Sequence, residues 1–333
     1  MRQMSKNELK IFTTLVQMSQ AAVMSTMETY LRNKYERVVK ADGYLYAIGD
    51  LPITLMAHAD TVFPTTNKEI FYDREKNVIW GGAEGLGADD RAGIFAIIRI
   101  IEESQKGLPH IIITEDEEKG CVGASKLVKN VSKPFAEMRY IIELDRRGKD
   151  DCVFYDCNNE EFSNYISSFG FTKEFGSFSD ISEVCPVWGI AGVNLSVGYE
   201  SEHSYSERLY VNHLLETISK VLIMLKDVVN LKDSFEYIPI QPIDLYQNYV
   251  QMNSLFMGDN ITCHKCKSFC KDYEAFCVQE VNKEYHFWCP QCIRDNVKWC
   301  ERCGEPFESF EDSAKLCYDC KGEGKKNYAV QRN

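Results

Sequence analysis

The chain has 333 residues, a formal net charge of −12 and 44% hydrophobic residues, enough for one large domain and a small one and ordinary for a globular protein. The acidic balance disfavours a general polyanion binder, and no apolar run approaches the roughly 20 residues of a membrane span. The opening Met1-Arg2-Gln3-Met4-Ser5-Lys6 leads into a mixed polar segment without a signal-peptide core, so a cytoplasmic setting is expected. Fourteen cysteines in such a setting point to metal rather than disulfides. Four of them precede residue 190 and ten lie between Cys263 and Cys320, a composition shift that marks a second domain.

Residues 5–34 read as two helices, with Leu9, Phe12, Leu15 and Val16, then Val23, Met27, Tyr30 and Leu31, at helical spacing. Two β-rich runs flank Asp42-Gly43 between Val38 and Tyr46, a hairpin signal. Residues 53–57 form a short buried strand that ends at His58-Ala59-Asp60, and residues 78–80 form another. Then comes the stretch around which the chain is organised, Gly85-Leu86-Gly87-Ala88-Asp89-Asp90-Arg91-Ala92-Gly93. Its glycines allow close backbone approach, and two adjacent carboxylates at a buried turn normally need a cation. A helical run over 94–103 follows. Residues 110–114 are a strand ending at Glu115-Asp116-Glu117-Glu118, and 124–129 are helical. Residues 139–144 are a strand ending at Asp145, and 192–197 a strand followed by His203. The last helix, with Asn212 as its expected N-cap, sets Leu215, Ile218, Val221, Leu222 and Leu225 on one face. Strands alternating with helices predict an α/β fold with a mixed, centrally parallel sheet flanked by helices. In such sheets the active site lies beyond the carboxyl ends of the strands.

His58, Asp89, Glu118, Asp145 and His203 fall at or just after those ends. Two imidazoles and three carboxylates suit zinc, with cobalt or manganese as alternatives. Five ligands exceed one tetrahedral ion with an open position; they fit two metals sharing a carboxylate. Glu117, left over beside Glu118, is placed to take a proton from an attacking water. Each residue has a plainer reading. Glu115 to Glu118 could be a solvated acidic loop, Asp145 could pair with Arg146 or Arg147, and Ser204-x-x-Glu207 looks like a local capping box.

The series His58-Ala59-Asp60, Gly87-Ala88-Asp89-Asp90-Arg91-Ala92-Gly93, Asp116-Glu117-Glu118-Lys119-Gly120, Glu143-Leu144-Asp145-Arg146 and His203-Ser204-Tyr205-Ser206-Glu207 resembles the co-catalytic di-zinc exopeptidases. That superfamily includes zinc aminopeptidases, peptidase T, the tetrahedral aminopeptidases and deacylase relatives. The resemblance covers about residues 1–230. It implies that Asp89 bridges two zincs, that His58 and Asp145 complete one, and that Glu118 and His203 complete the other. It further implies Glu117 as general base, Asp60 as the partner orienting His58, and a cis Asp89–Asp90 bond. Phe178-Ser179-Asp180 loosely matches a Ser-Asp element of the aminopeptidases. The stretches between His58 and Asp89 and between Asp145 and His203 are too short to hold an inserted lid or dimerisation domain. Elements with which lidded relatives grip a substrate carboxylate are therefore missing.

The expected organisation is a catalytic domain over 1–230, a connector over 231–258, a double zinc module over 259–322 and a basic tail over 323–333 with Lys325, Lys326 and Arg332. In the module, Cys263-x-x-Cys266, Cys289-x-x-Cys292, Cys300-x-x-Cys303 and Cys317-x-x-Cys320 predict two structural zincs, most simply paired in sequence order. Cys270, Cys277 and His286 are alternative ligands. Zinc there replaces a core too small to stand alone, and the aromatics Phe287, Trp288, Trp299, Phe307 and Phe310 either surround it or meet a protein partner. Balanced charge argues against nucleic acid. The leading expectation is a zinc-dependent hydrolase of peptide bonds, an exopeptidase or aminopeptidase acting on a peptide or small amide. Its rivals are a deacylase of small N-acyl substrates and a zinc-finger interaction protein on a peptidase-like scaffold. Tyr199 or Tyr205 is a candidate oxyanion donor.

Overall fold

The Ser5 hydroxyl accepts a hydrogen bond from the Glu8 backbone N–H, and the Glu8 carboxylate accepts one from the Ser5 backbone N–H, so the first helix opens on a capping box. In the computed structural model, which describes residues 2–64, 69–135, 137–240, 260–271, 275–311 and 313–321, the chain divides into two units, Met1–Pro239 and Ile240–Asn333. The first unit begins with α1 (Lys6–Val16) and α2 (Gln20–Arg32), followed by β1 (Arg37–Ala41), β2 (Tyr44–Ile48) and β3 (Leu51–His58). Next come β4 (Ile70–Asp73), β5 (Val78–Gly81), α3 (Ala88–Glu103), β6 (Pro109–Thr114) and α4 (Val122–Asn130). Then follow β7 (Tyr140–Arg146), β8 (Asp151–Val153), α5 (Glu160–Ser167), β9 (Thr172–Lys173) and α6 (Asp180–Trp188). The unit continues through β10 (Gly192–Ser196), β11 (Tyr199–Glu200), β12 (Arg208–Tyr210) and α7 (Val211–Asp227).

The main sheet has the order β1-β2-β6-β3-β7-β10-β8-β9. Its middle, β6-β3-β7-β10, is parallel, and antiparallel pairs β1-β2, β2-β6 and β10-β8 flank it. The expected mixed, centrally parallel sheet is thus the one observed. Its central strands are buried on both faces, which accounts for their unbroken apolar runs. Leu55, Ala57, Ile111, Ile113 and Ile142 join Phe12, Phe95 and the apolar face of α7 on one side. Met56, Ile112 and Ile141 meet Leu127, Ile181 and Val184 of α4 and α6 on the other. A smaller sheet, β11-β12-β5-β4, stands apart from the main one.

Asn212 is not the N-cap of the last helix. Strand β12 feeds α7 directly with Tyr210 at the N-cap, and Val211 N donates to Asn77 O at 3.0 Å. The first unit also runs past residue 230. Phe235 is buried against Tyr140, Phe162 and Tyr165, and residues 236 and 239 bridge to Ile190 and Cys157. The start of the expected connector is therefore docked chain, and its remainder, 241–258, lies outside the described residues, as does the basic tail.

In the second unit, Asn260–Thr262 pairs with Phe269–Lys271, and Phe276–Gln279 pairs with Tyr285–Trp288. Its buried clusters are small and include the cysteines themselves: Cys263, Val278, Trp288, Cys289 and Ile293 in one, Cys300, Phe307 and Cys317 in the other. Among the described residues, no helix is long and apolar enough to cross a membrane.

Candidate metal centre

The carboxyl ends of β3, β6, β7 and β10 meet the start of α3. His58 closes β3 opposite Thr114, the last residue of β6. Past Thr114 the chain turns through Asp116, at φ 59°, into a short 3₁₀ turn, Glu117–Lys119. Gly87 takes a left-handed conformation at the head of α3, and the Asp89–Asp90 peptide is cis, as expected. Gly93 is where α3 passes over β7: a Cβ there would stand 2.1 Å from the Leu144 carbonyl oxygen. Asp90 does not face the cluster. It accepts from the backbone N–H groups of His58 and Gly93 and ties the helix start to β3.

Two donor groups share Asp89. His58 Nε2 lies 3.2 Å from Asp89 Oδ1 and 3.3 Å from Asp145 Oδ1. His203 Nε2 lies 3.1 Å from the other oxygen, Asp89 Oδ2, and 3.0 Å from Glu118 Oε2. His58, Asp89 and Asp145 form one compact set of ligand atoms, and Asp89, Glu118 and His203 the other. Ligands about 2.0–2.1 Å from a tetrahedral ion stand roughly 3.3 Å apart, the spacing seen here. Glu118 Oε1 is buried without a hydrogen-bond partner. Burial lifts the Glu117 carboxyl to about 7, against the pull of His58, and the charges of Asp145 and Asp89 add to the rise. Burial and the Asp89 charge lift Glu118 to about 8, and burial lifts Asp145 to about 6. Burial works against ionisation of Asp89 too, but hydrogen bonds from His203 and His58 hold it well below the usual carboxylate range. Several negative charges thus share a buried space, an arrangement that divalent cations reverse. Donor chemistry, spacing and the orphaned oxygen all fit a pair of such ions.

Supporting contacts fix these side chains. Asp60 accepts from His58 Nδ1 at 3.2 Å and from the backbone N–H groups of Glu117 and Glu118, both at 3.1 Å. Asp145 receives the hydroxyls of Ser179 and Tyr199 and pairs with neither neighbouring arginine; Arg147 meets Glu202 instead. Tyr199 is thus committed to Asp145, and Tyr205 is 72% exposed, its ring against Phe63. Glu207 does not cap its own turn. It accepts from the backbone N–H groups of Gly87, Ala88 and Asp89. Asn194 clamps the Asp145 backbone, accepting from its N–H at 2.9 Å and donating to its carbonyl at 3.0 Å. In the sequence Asn194 stands out only as a polar residue inside the apolar run Val193-Asn194-Leu195. Ser179 and Asp180, whose role the sequence left open, touch Asp145 and Thr114 respectively. A cavity of about 370 Å³ opens over Asp89, Glu117 and His203, with Val62 and the exposed Phe178 among its lining residues.

In the second unit, Cys263, Cys266, Cys289 and Cys292 converge, and so do Cys300, Cys303, Cys317 and Cys320. His286 stands apart from both sets, stacked on His264 with Glu280 between their ring nitrogens.

Residues 43–174 match the model of Peptidase family M28. No curated protein matches the chain. The fold is similar to that of a tripeptidase from Staphylococcus aureus subsp. aureus, at 16% identity and a TM-score of 0.53 over 67% of this chain and 98% of that one. It is also similar to aminopeptidase PepT from Bacillus cereus, at 17% identity and 0.53 over 67% and 98%. A TET aminopeptidase from a marine-sediment Thaumarchaeota archaeon gives 14% and 0.54 over 68% and 99%. Fold and family match together define a metallopeptidase. The core fold is like that of these aminopeptidases, and the residues that match the family model include His58, Asp89, Glu117, Glu118 and Asp145.

Proposed function

We propose that the first unit is an aminopeptidase-type exopeptidase working with two zinc ions. The observation that carries this is the sharing of Asp89, one oxygen toward His58 and the other toward His203. His58, Asp89 and Asp145 would hold one ion, and Asp89, Glu118 and His203 the other. When bound, such a pair polarises a carbonyl and makes water nucleophilic near neutral pH. The protein's own part begins with Glu117. Its Oε2 is 4.0 Å from His58 Nε2, farther than the paired ligand atoms, so it is left free to take the proton of the attacking water and pass it to the leaving amine nitrogen. Asp60 keeps the Nδ1 proton on His58, so that Nε2 faces the cluster, and sets the Glu117–Glu118 backbone. Ser179 and Tyr199 orient Asp145.

We further propose that the two four-cysteine sets of the second unit each hold a structural zinc, and that this module meets a protein partner. A panel of aminoacyl-nitroanilides beside N-acyl amino acids tests the activity. Release of nitroaniline requiring a free amino terminus is expected; cleavage of the N-acyl compounds alone would make the protein a deacylase.

A further inference from the structure

A second cavity, of about 430 Å³, adjoins the metal centre, and Val62 and Glu118 line both. Arg91, on the first turn of α3, forms part of its wall and is 1% exposed. Only one of its guanidinium nitrogens has a partner: Nη2 donates to the Met18 carbonyl at 3.2 Å. Nε and Nη1 are buried without one. Thr61 lines the same cavity, and its hydroxyl is likewise buried and unpartnered. Buried guanidinium nitrogens without acceptors are unfavourable, and natural structures seldom leave them so. The charges of Asp60 and Asp90 reach Arg91, but neither carboxylate accepts from Nε or Nη1. Asp60 accepts from His58, Glu117 and Glu118, Asp90 accepts from the backbone N–H groups of His58 and Gly93, and Glu118 is a proposed metal ligand.

We propose that this cavity is a subsite for the free carboxylate of a short peptide whose scissile bond lies over Asp89. The proposal rests on the peptidase reading and names its substrate class. An anion there gives Arg91 Nη1 and the Thr61 hydroxyl the partners they lack, and a charge-assisted hydrogen bond in a buried place discriminates strongly. Among the described residues of the first unit no separate domain is inserted between the segments that carry the cluster; Arg91 offers a grip from within the core. Val62 and Glu118, common to both cavities, let one short ligand reach from the metal centre to Arg91.

The test uses the full-length, metal-loaded protein and trialanine with its first peptide bond reduced to a methyleneamine, which cannot be hydrolysed. Calorimetric binding of this analogue as the free acid is compared with that of its C-terminal amide. The acid is expected to bind at least about tenfold more tightly, and Arg91→Gln should remove most of that difference. Gln20→Glu, which puts a negative charge on the cavity wall, should do the same and decides the matter if Arg91→Gln does not fold. Equal binding of acid and amide by the unaltered protein overturns the subsite, as does an undiminished acid preference in folded Gln20→Glu. Turnover of ordinary trialanine separates the two readings. A preference for the acid analogue without hydrolysis sinks the peptidase reading and keeps the subsite. Equal hydrolysis of trialanine and its amide, with equal binding of the analogues, does the reverse.

Discussion

Asp89 stands between two histidines and offers each a different oxygen; Asp145 faces only His58. If both oxygens serve metals, Asp89→Ala should lose more metal than Asp145→Ala. Metal content after dialysis measures this, and equal losses would argue for a single ion. Glu117 is the opposite case, a carboxylate at the cluster with no ligand partner within 3.5 Å among the histidine nitrogens. Glu117→Gln should retain both ions and lower turnover at least about a hundredfold. Near-normal turnover would remove it as the base, whereas loss of metal would exchange its role with that of Glu118.

At the scale of elements, the turn before α3 is held from across the fold. Glu207 is buried and receives three backbone N–H groups from Gly87, Ala88 and Asp89. Glu207→Ala would leave those donors without an acceptor, at about 1–3 kcal/mol for a buried group. Thermal unfolding should shift down by roughly 5–10 °C, and dialysis should strip the metals faster; an unchanged midpoint would mean that the turn holds itself. This contact also shows where sequence reading stops. His203-Ser204-x-x-Glu207 has the spacing of a local capping box, and nothing in it tells that its glutamate answers donors in another segment. Asn212 misled for a related reason: a good cap residue followed a helix start already fixed by strand β12. Helix α6 escaped notice because Pro186 lies inside it, and α5 because eight residues carry only two buried side chains, Phe162 and Ile166. The strands β3, β6, β7 and β10 were legible because burial on both faces leaves apolar runs. The five clustered residues were legible because parallel strands deliver their ends to one edge. The contacts of Ser179, Tyr199 and Asn194 with Asp145 depend on side-chain direction in three dimensions, which spacing does not carry.

Among the described residues, the first unit carries donor sets of carboxylate and imidazole, and the second carries two thiolate sets beside a group of His264, Glu280 and His286. Carboxylate-rich sites exchange with solvent, whereas all-thiolate sites are closed and hold part of the folding free energy. The protein should therefore contain about four zinc ions. A mild chelator should end activity first while the fold persists, and a mercurial should release the other pair and unfold only the second unit. Simultaneous loss of all four ions would contradict this. A chain ending after Pro239 should fold and hold two ions, because the first unit has its own core and keeps Phe235 against Tyr140 and Phe162. Should it be insoluble, or turn over nothing that the full chain does, the second unit takes part in the site. Glu207 reaches Gly87 across 120 positions of sequence, and His203 arrives almost as late. During synthesis the segments bearing His58, Glu117 and Asp145 emerge first, yet the turn that presents Asp89 lacks its Glu207 anchor until residue 207 leaves the ribosome. On the peptidase reading, a nascent chain cannot cut anything, itself and its neighbours on the polysome included, until that residue is out.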